Sequence, residues 1–104
     1  MSDHPAPEVS DDVEHHRLVI EQDGAVAELV YQVDGERLIL VHTGVPEALG
    51  GRGIGGVLVR AAVDRAGRDG ATVVPWCPFA RKWLQTHPEV AGTIDIDWAS
   101  SPDD

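Results

Sequence analysis

The chain reads as a mixed α+β (α/β) domain: three antiparallel strands, a helix, a strand parallel to the third, and a second helix. Three observations predict this. Strand-like runs at 25–33 and 37–43 flank Asp34-Gly35, a pair that tolerates the positive φ of a tight hairpin turn. The cluster Leu49-Gly50-Gly51-Arg52-Gly53-Ile54-Gly55-Gly56 runs directly into Ile54, Val57, Leu58, Ala61 and Ala62, apolar positions at helical spacing. A β-branched segment at 71–76 then follows the helix, as a crossover back to a parallel strand requires.

Each element has its own signal. Residues 17–21 form the first strand, and Gln22-Asp23-Gly24 turns the chain into the second. There Ala27, Leu29, Tyr31 and Val33 point to one face, and Val26, Glu28, Val30 and Gln32 to the other. Leu38, Ile39, Leu40 and Val41 are apolar without alternation, so the third strand is covered on both faces and central; His42 and Thr43 end it. The first helix spans about 53–68 with Gly70 as its exit cap. Pro78 at a first helical position opens the second helix, 78–86, which Pro88 stops. Phe79 and Trp83, four apart, share its inner face. In 92–98, Ile94, Ile96 and Trp98 alternate with Asp95 and Asp97, which reads as a last edge strand.

The ends differ in composition from the middle. Residues 1–15 carry Asp3, Glu8, Asp11, Asp12 and Glu14 with Pro5 and Pro7 and almost nothing apolar, and 99–104 is short and acidic. Both are expected to be solvated, disordered tails around a single domain at 16–98. A net charge of −10 excludes nonspecific nucleic-acid binding, which needs a basic face. Yet Arg52, Arg60, Arg65, Arg68, Arg81 and Lys82 are six of the eight basic residues and lie close together in the chain, so a small polyanion suits this region. Arg60 and Arg68 read as a solvated helix face; Arg52, inside the glycine turn, is the better ligand.

Cys77 alone offers no disulfide framework. The polar, acidic start lacks a signal peptide, and no apolar run approaches the roughly 18 residues that span a bilayer, so a cytoplasmic location without a membrane partner is expected. His4, His15 and His16 fall in the acidic tail without ligand spacing, and no metal is expected.

A glycine turn entering a helix presents bare N–H groups at the positive end of the helix dipole, a site for phosphate. A Walker A loop is excluded because no Lys-Ser or Lys-Thr follows the glycines. Gly51, Gly53 and Gly56 match a dinucleotide fingerprint formally, but 44–49 separates them from the strand and no carboxylate lies near Trp76 to take a ribose.

The pattern of a strand, a short loop with Val45 and Pro46, then Arg52-Gly53-x-Gly55 and a helix resembles the acyl-CoA segment of the GNAT superfamily of N-acetyltransferases. Ala27-Glu28-Leu29-Val30-Tyr31, His42-Thr43, Val45-Pro46-Glu47-Ala48-Leu49, Val73-Val74-Pro75-Trp76-Cys77-Pro78-Phe79-Ala80 and His87-Pro88-Glu89 extend the resemblance over 16–98 and are similar to the small YjdJ-type branch, a truncated minimal version of the fold. The resemblance implies acetyl-CoA as cosubstrate, with Val45, Gly50, Gly51, Arg52, Gly53, Ile54, Gly55 and Gly56 as the cofactor-binding segment, and an amine acceptor, small molecule or protein. Gly50 stands where the superfamily carries Gln or Arg, so its side-chain contribution is missing. Gly44 stands where relatives of the branch often carry an acidic residue.

Cys77 precedes Pro78 and is the expected N-cap of the second helix, where dipole, Arg81 and Lys82 favour a thiolate; the plain alternative is a small buried residue. The resemblance implies that its thiol faces the acyl group, as nucleophile or as the acid that protonates the leaving thiolate. Amides near Val45 suit the acyl carbonyl. His42 and Glu28 put titratable groups on apolar strands and are the candidate bases, or else polar residues at a sheet end and on a solvent face. A module that binds CoA or acyl-CoA without turning it over is the competing function.

Overall fold

The order of strands across the sheet is the order in the sequence, because each of the first three connections is too short to skip a neighbour. The computed structural model describes residues 7–102. β1 (Ser10–Asp12), β2 (Arg17–Gln22), β3 (Ala25–Asp34) and β4 (Arg37–Gly44) are antiparallel, and β5 (Thr72–Pro75) joins parallel to β4 after the helical crossover. The crossover is α1 (Ile54–Asp69); α2 (Pro78–Thr86) and a single turn, α3 (Pro88–Ala91), follow β5.

One face of the sheet carries the core. Leu18 and Ile20, Ala27, Leu29 and Tyr31, Leu38 and Leu40, and Val73 pack with Ile54, Leu58, Val59, Ala62, Val63 and Ala66 of α1 and Ala80 and Leu84 of α2. Val59 and Val63 complete the buried stripe of α1, while Val57 and Ala61 stay half-buried at its edge, so the helix is rotated from the expected face. Ile39 and Val74, which point away from α1, are buried as well, as an unbroken apolar β4 requires. Val33, expected with the core-facing residues of β3, is exposed near the hairpin tip.

Both ends of the chain also depart from expectation. Residues 10–15, read as tail, are ordered: β1 adds an edge strand and Val13–His15 makes a 3-10 turn. The acids there are held by partners far along the chain. Asp11 accepts from the Tyr31 hydroxyl at 2.5 Å and pairs with Arg65 of α1 at 3.0 Å, and Arg65 lies 4.4 Å over the Tyr31 ring. Asp12 pairs with Arg17 at 3.2 Å. Composition alone shows the acids but not these cations. At the other end, 92–98 makes one parallel bridge, Val73 to Ile96, instead of a strand, because Asp97 turns to Arg37 at 3.1 Å and accepts the N–H groups of Ala99 and Ser100. Residues 1–6 and 103–104 of the expected tails lie outside the described residues.

Tyr31 is the only tyrosine, so phenolate absorbance reads this latch alone. Burial first, then the bond to Asp11, pushes its ionisation above the ordinary 10.0. The folded state therefore holds the proton more tightly than the unfolded one: stability is complete below pH 10 and falls as pH rises past it. Tyr31→Phe should remove that fall at a cost of about 1.5 kcal/mol at neutral pH, measured by urea unfolding. A native titration no later than that of the denatured chain would contradict the latch.

Candidate active site

The fourth and fifth strands run together for only four residues. Their last pair is Leu40 with Pro75; the next donor that would face β4, the Trp76 N–H, folds back onto Val74 O at 3.0 Å instead. β4 meanwhile bulges: Val30 faces His42 and Tyr31 faces Leu40, leaving Val41 as the extra residue. From Val41 to Gly44 the strand has no β5 partner, so a wedge opens between β4 and the chain entering α2.

Cys77 closes the narrow end of this wedge. Its N–H donates to Leu40 O at 2.8 Å, and its buried thiol donates to Thr43 Oγ1 at 3.4 Å. It is the N-cap of α2, as its place before Pro78 requires. Thr43, opposite Leu29, lies on the α1 face of the sheet, whereas His42 and Glu28 lie on the other. The expected trio is thus split: Cys77 on one face, with Thr43 as a partner that no titratable signal marked, and the two candidate bases on the opposite face.

Those bases are neighbours across Gly44. A methyl group built there would sit 3.3 Å from His42 Nε2 and 3.9 Å from Glu28 Cγ. Arg17 donates to Glu28 Oε1 at 3.0 Å, and the pair lines a cleft of about 440 Å³ with Val26, Gly44, Val45 and Pro46. Val45, half open to solvent, stands where the wedge meets this cleft.

The glycine turn enters α1 as a backbone surface. Gly51 and Gly53 have φ of 77° and 71°, and neither has an atom within 4 Å of a built Cβ. Val57 is the first amide bonded into the helix, to Gly53 O at 3.1 Å, so the amides of Ile54, Gly55 and Gly56 precede the ladder. Gly50 is different: its N–H caps the preceding 3-10 turn on Glu47 O at 3.0 Å. Ile54 contributes its amide only, its side chain being core. The Arg52 guanidinium turns to Asp23 at 2.7 Å and Gln22 at 3.2 Å, fastening the glycine turn to the β2–β3 turn. No helix among the described residues is long and apolar enough to cross a membrane.

A family model described as GCN5-related N-acetyl-transferase matches residues 17–93. The chain belongs to that family. The NMR solution structure of a GCN5-like protein from Staphylococcus aureus superposes with a TM-score of 0.66 at 27% identity, covering 88% of this chain and 92% of that one. A comparison with curated proteins finds no match. The mixed sheet with its α1 crossover matches the fold of that GCN5-like neighbour.

Gly55 and Gly56 have a second reason to be glycine. A methyl group on Gly55 would lie 2.6 Å from Phe79 Cζ, and one on Gly56 would run into Trp83 Nε1. Phe79 and Trp83 therefore line the α1–α2 seam, while Ala80 and Leu84 are the core side of α2, which corrects the expected inner face. Gly56→Ala should lower stability by about 1–3 kcal/mol in urea unfolding, because the Trp83 ring it would meet is held by its stack on His87, even though alanine's helix preference alone favours it by up to about 1 kcal/mol. In a Trp83→Ala background the same change should become stabilising. Equal effects in the two backgrounds would remove the seam as the cause.

Proposed function

We propose that this GNAT-family chain transfers the acetyl group of acetyl-CoA to an amine, with the wedge as the meeting place of the two substrates. Acetyl-CoA supplies the activated acetyl thioester and a pyrophosphate. The amides of Arg52, Gly53, Ile54, Gly55 and Gly56, with the open space at Gly51 and Gly53, suit that pyrophosphate, because unpaired N–H groups at a helix start favour anions. Gly50 is the weakest member of the expected segment, since it brings no side chain and its amide is engaged. The small YjdJ-type branch and a cytoplasmic location belong to the same reading.

The observation that carries it is the buried Cys77 thiol beside an interrupted pair of strands. Its hydrogen-bond partner is a hydroxyl and not a base, which favours a proton donor to the departing thiolate over a nucleophile. Amides of β4 from Val41 onward and of Val45 are the candidates to polarise the acyl carbonyl. The amine arrives from the opposite face, through the cleft over Gly44, where His42 and Glu28 accept its proton. Arg17 pairs with Glu28 there at 3.0 Å.

A binding module that holds CoA without turnover is the second reading, favoured by Gly50. Titration calorimetry with acetyl-CoA and intact-mass analysis of an amine panel separate the two. Wild type should bind and acetylate, Cys77→Ala should bind with reduced turnover, and binding without release of CoA would support the module. Gly53→Val is the cleaner probe of the anion site than any change at Gly55, because no side chain packs on it. Valine disfavours the left-handed turn by about 1–2 kcal/mol, so Kd should rise about tenfold or more. An unchanged Kd would remove the glycine turn as the anion site.

A further inference from the structure

We propose that Thr43 is a positioning residue for the Cys77 proton: its hydroxyl accepts from the resting thiol and reverses to donate once the thiol has given its proton away. The inference rests on the acid role of Cys77 proposed above, and on three features of the geometry. Thr43 is on the part of β4 that has parted from β5, so its side chain meets Cys77 across the wedge and not through a shared ladder. Cys77 is tied to the same strand twice, by backbone to Leu40 before the split and by side chain to Thr43 after it, which fixes the sulfur relative to the strand that lines the wedge. And Cys77 belongs to the buried apolar cluster, with the Thr43 hydroxyl as the hydrogen-bond partner of its thiol.

The charged groups nearby face elsewhere. Arg81 of α2 donates to Trp98 O at 2.8 Å with its guanidinium over that ring, Lys82 is exposed, and His42 of β4 lies on the opposite sheet face. From α1, the first turn presents Ile54 and two glycines.

The proton balance is simple. The Cys77 S–H bond breaks as its proton passes to the departing thiolate of the cosubstrate, leaving a Cys77 thiolate in an apolar pocket. A hydroxyl is both acceptor and donor and rotates freely, so Thr43 O–H can turn to the anion without any movement of the backbone. The proton lost by the acceptor nitrogen passes through the His42 and Glu28 side to solvent, Cys77 takes one back from solvent once the product has left, and the hydroxyl reverses. A hydrogen bond to a charged group is about twice as strong as a neutral one, so Thr43 favours the transferred state over the resting one.

Thr43→Val keeps the shape and removes the hydroxyl; Thr43→Ser keeps the hydroxyl. Cys77 is the only cysteine, so alkylation by iodoacetamide across pH reads it alone, without cosubstrate. The pH midpoint of alkylation should move up by about one unit in Thr43→Val and return towards wild type in Thr43→Ser. In turnover with acetyl-CoA and an amine, kcat should fall about tenfold in Thr43→Val, with the Kd for acetyl-CoA unchanged and activity rescued by serine. A midpoint equal to wild type in Thr43→Val overturns the proposal, whatever the turnover shows. Wild-type protein that binds acetyl-CoA but releases no CoA overturns the acetyltransferase reading instead, and the alkylation result still decides the Thr43 contact.

Discussion

The structure turns on the place where β4 and β5 stop pairing. A donor turned back just past the last pair and a bulge one residue later on the neighbouring ladder flank the same strand from its two sides. The Trp76 N–H ends the parallel ladder by turning back onto Val74 O, and the bulge at Val41 bends β4 away while keeping it bonded to β3. The cost in lost hydrogen bonds is limited because Cys77 N–H replaces one of them on Leu40 O. The same residue that satisfies the broken ladder thus brings its thiol into the gap.

The two helices are held against this frame by the absence of side chains as much as by their presence. Gly55 and Gly56 let the rings of Phe79 and Trp83 approach the first turn of α1. Trp83 in turn stacks on His87, with centroids 3.9 Å apart, where α2 gives way to α3. A glycine-rich helix start therefore serves two demands at once: bare amides at its tip and a close helix–helix approach one residue further on. Either demand would place glycine there, so the motif by itself does not separate them.

Much of the fold was legible because its signals are local. Asp34-Gly35, the unbroken Leu38–Val41 run, Gly70 and the Pro78 and Pro88 pair mark turns and helix ends that depend on a few neighbouring residues, and the elements fall there. What escaped was long-range. The acids of 10–12 look like a solvated tail until Tyr31 and Arg65, far along the chain, are folded beside them. The alternation in 92–98 fits a strand, yet Asp97 is spent on Arg37 and on capping the next turn. In the candidate site, Cys77, His42 and Glu28 were each recognisable as chemistry-bearing, but the bulge decides which face each one occupies, and no residue type announces a bulge. Thr43 was hidden for a simpler reason: a threonine at a strand end is unremarkable until a sulfur is found against it.

The division of the sheet into a helix-packed side and a side lined by Glu28, Gly44 and Val45 has a kinetic consequence. On the proposed reading, donor and acceptor use separate doorways through a layer one strand thick, so neither has to leave before the other can arrive. Steric order of addition is then absent. Both reactants can be resident together, and the sequence in which they come and go is governed by their affinities and not by obstruction.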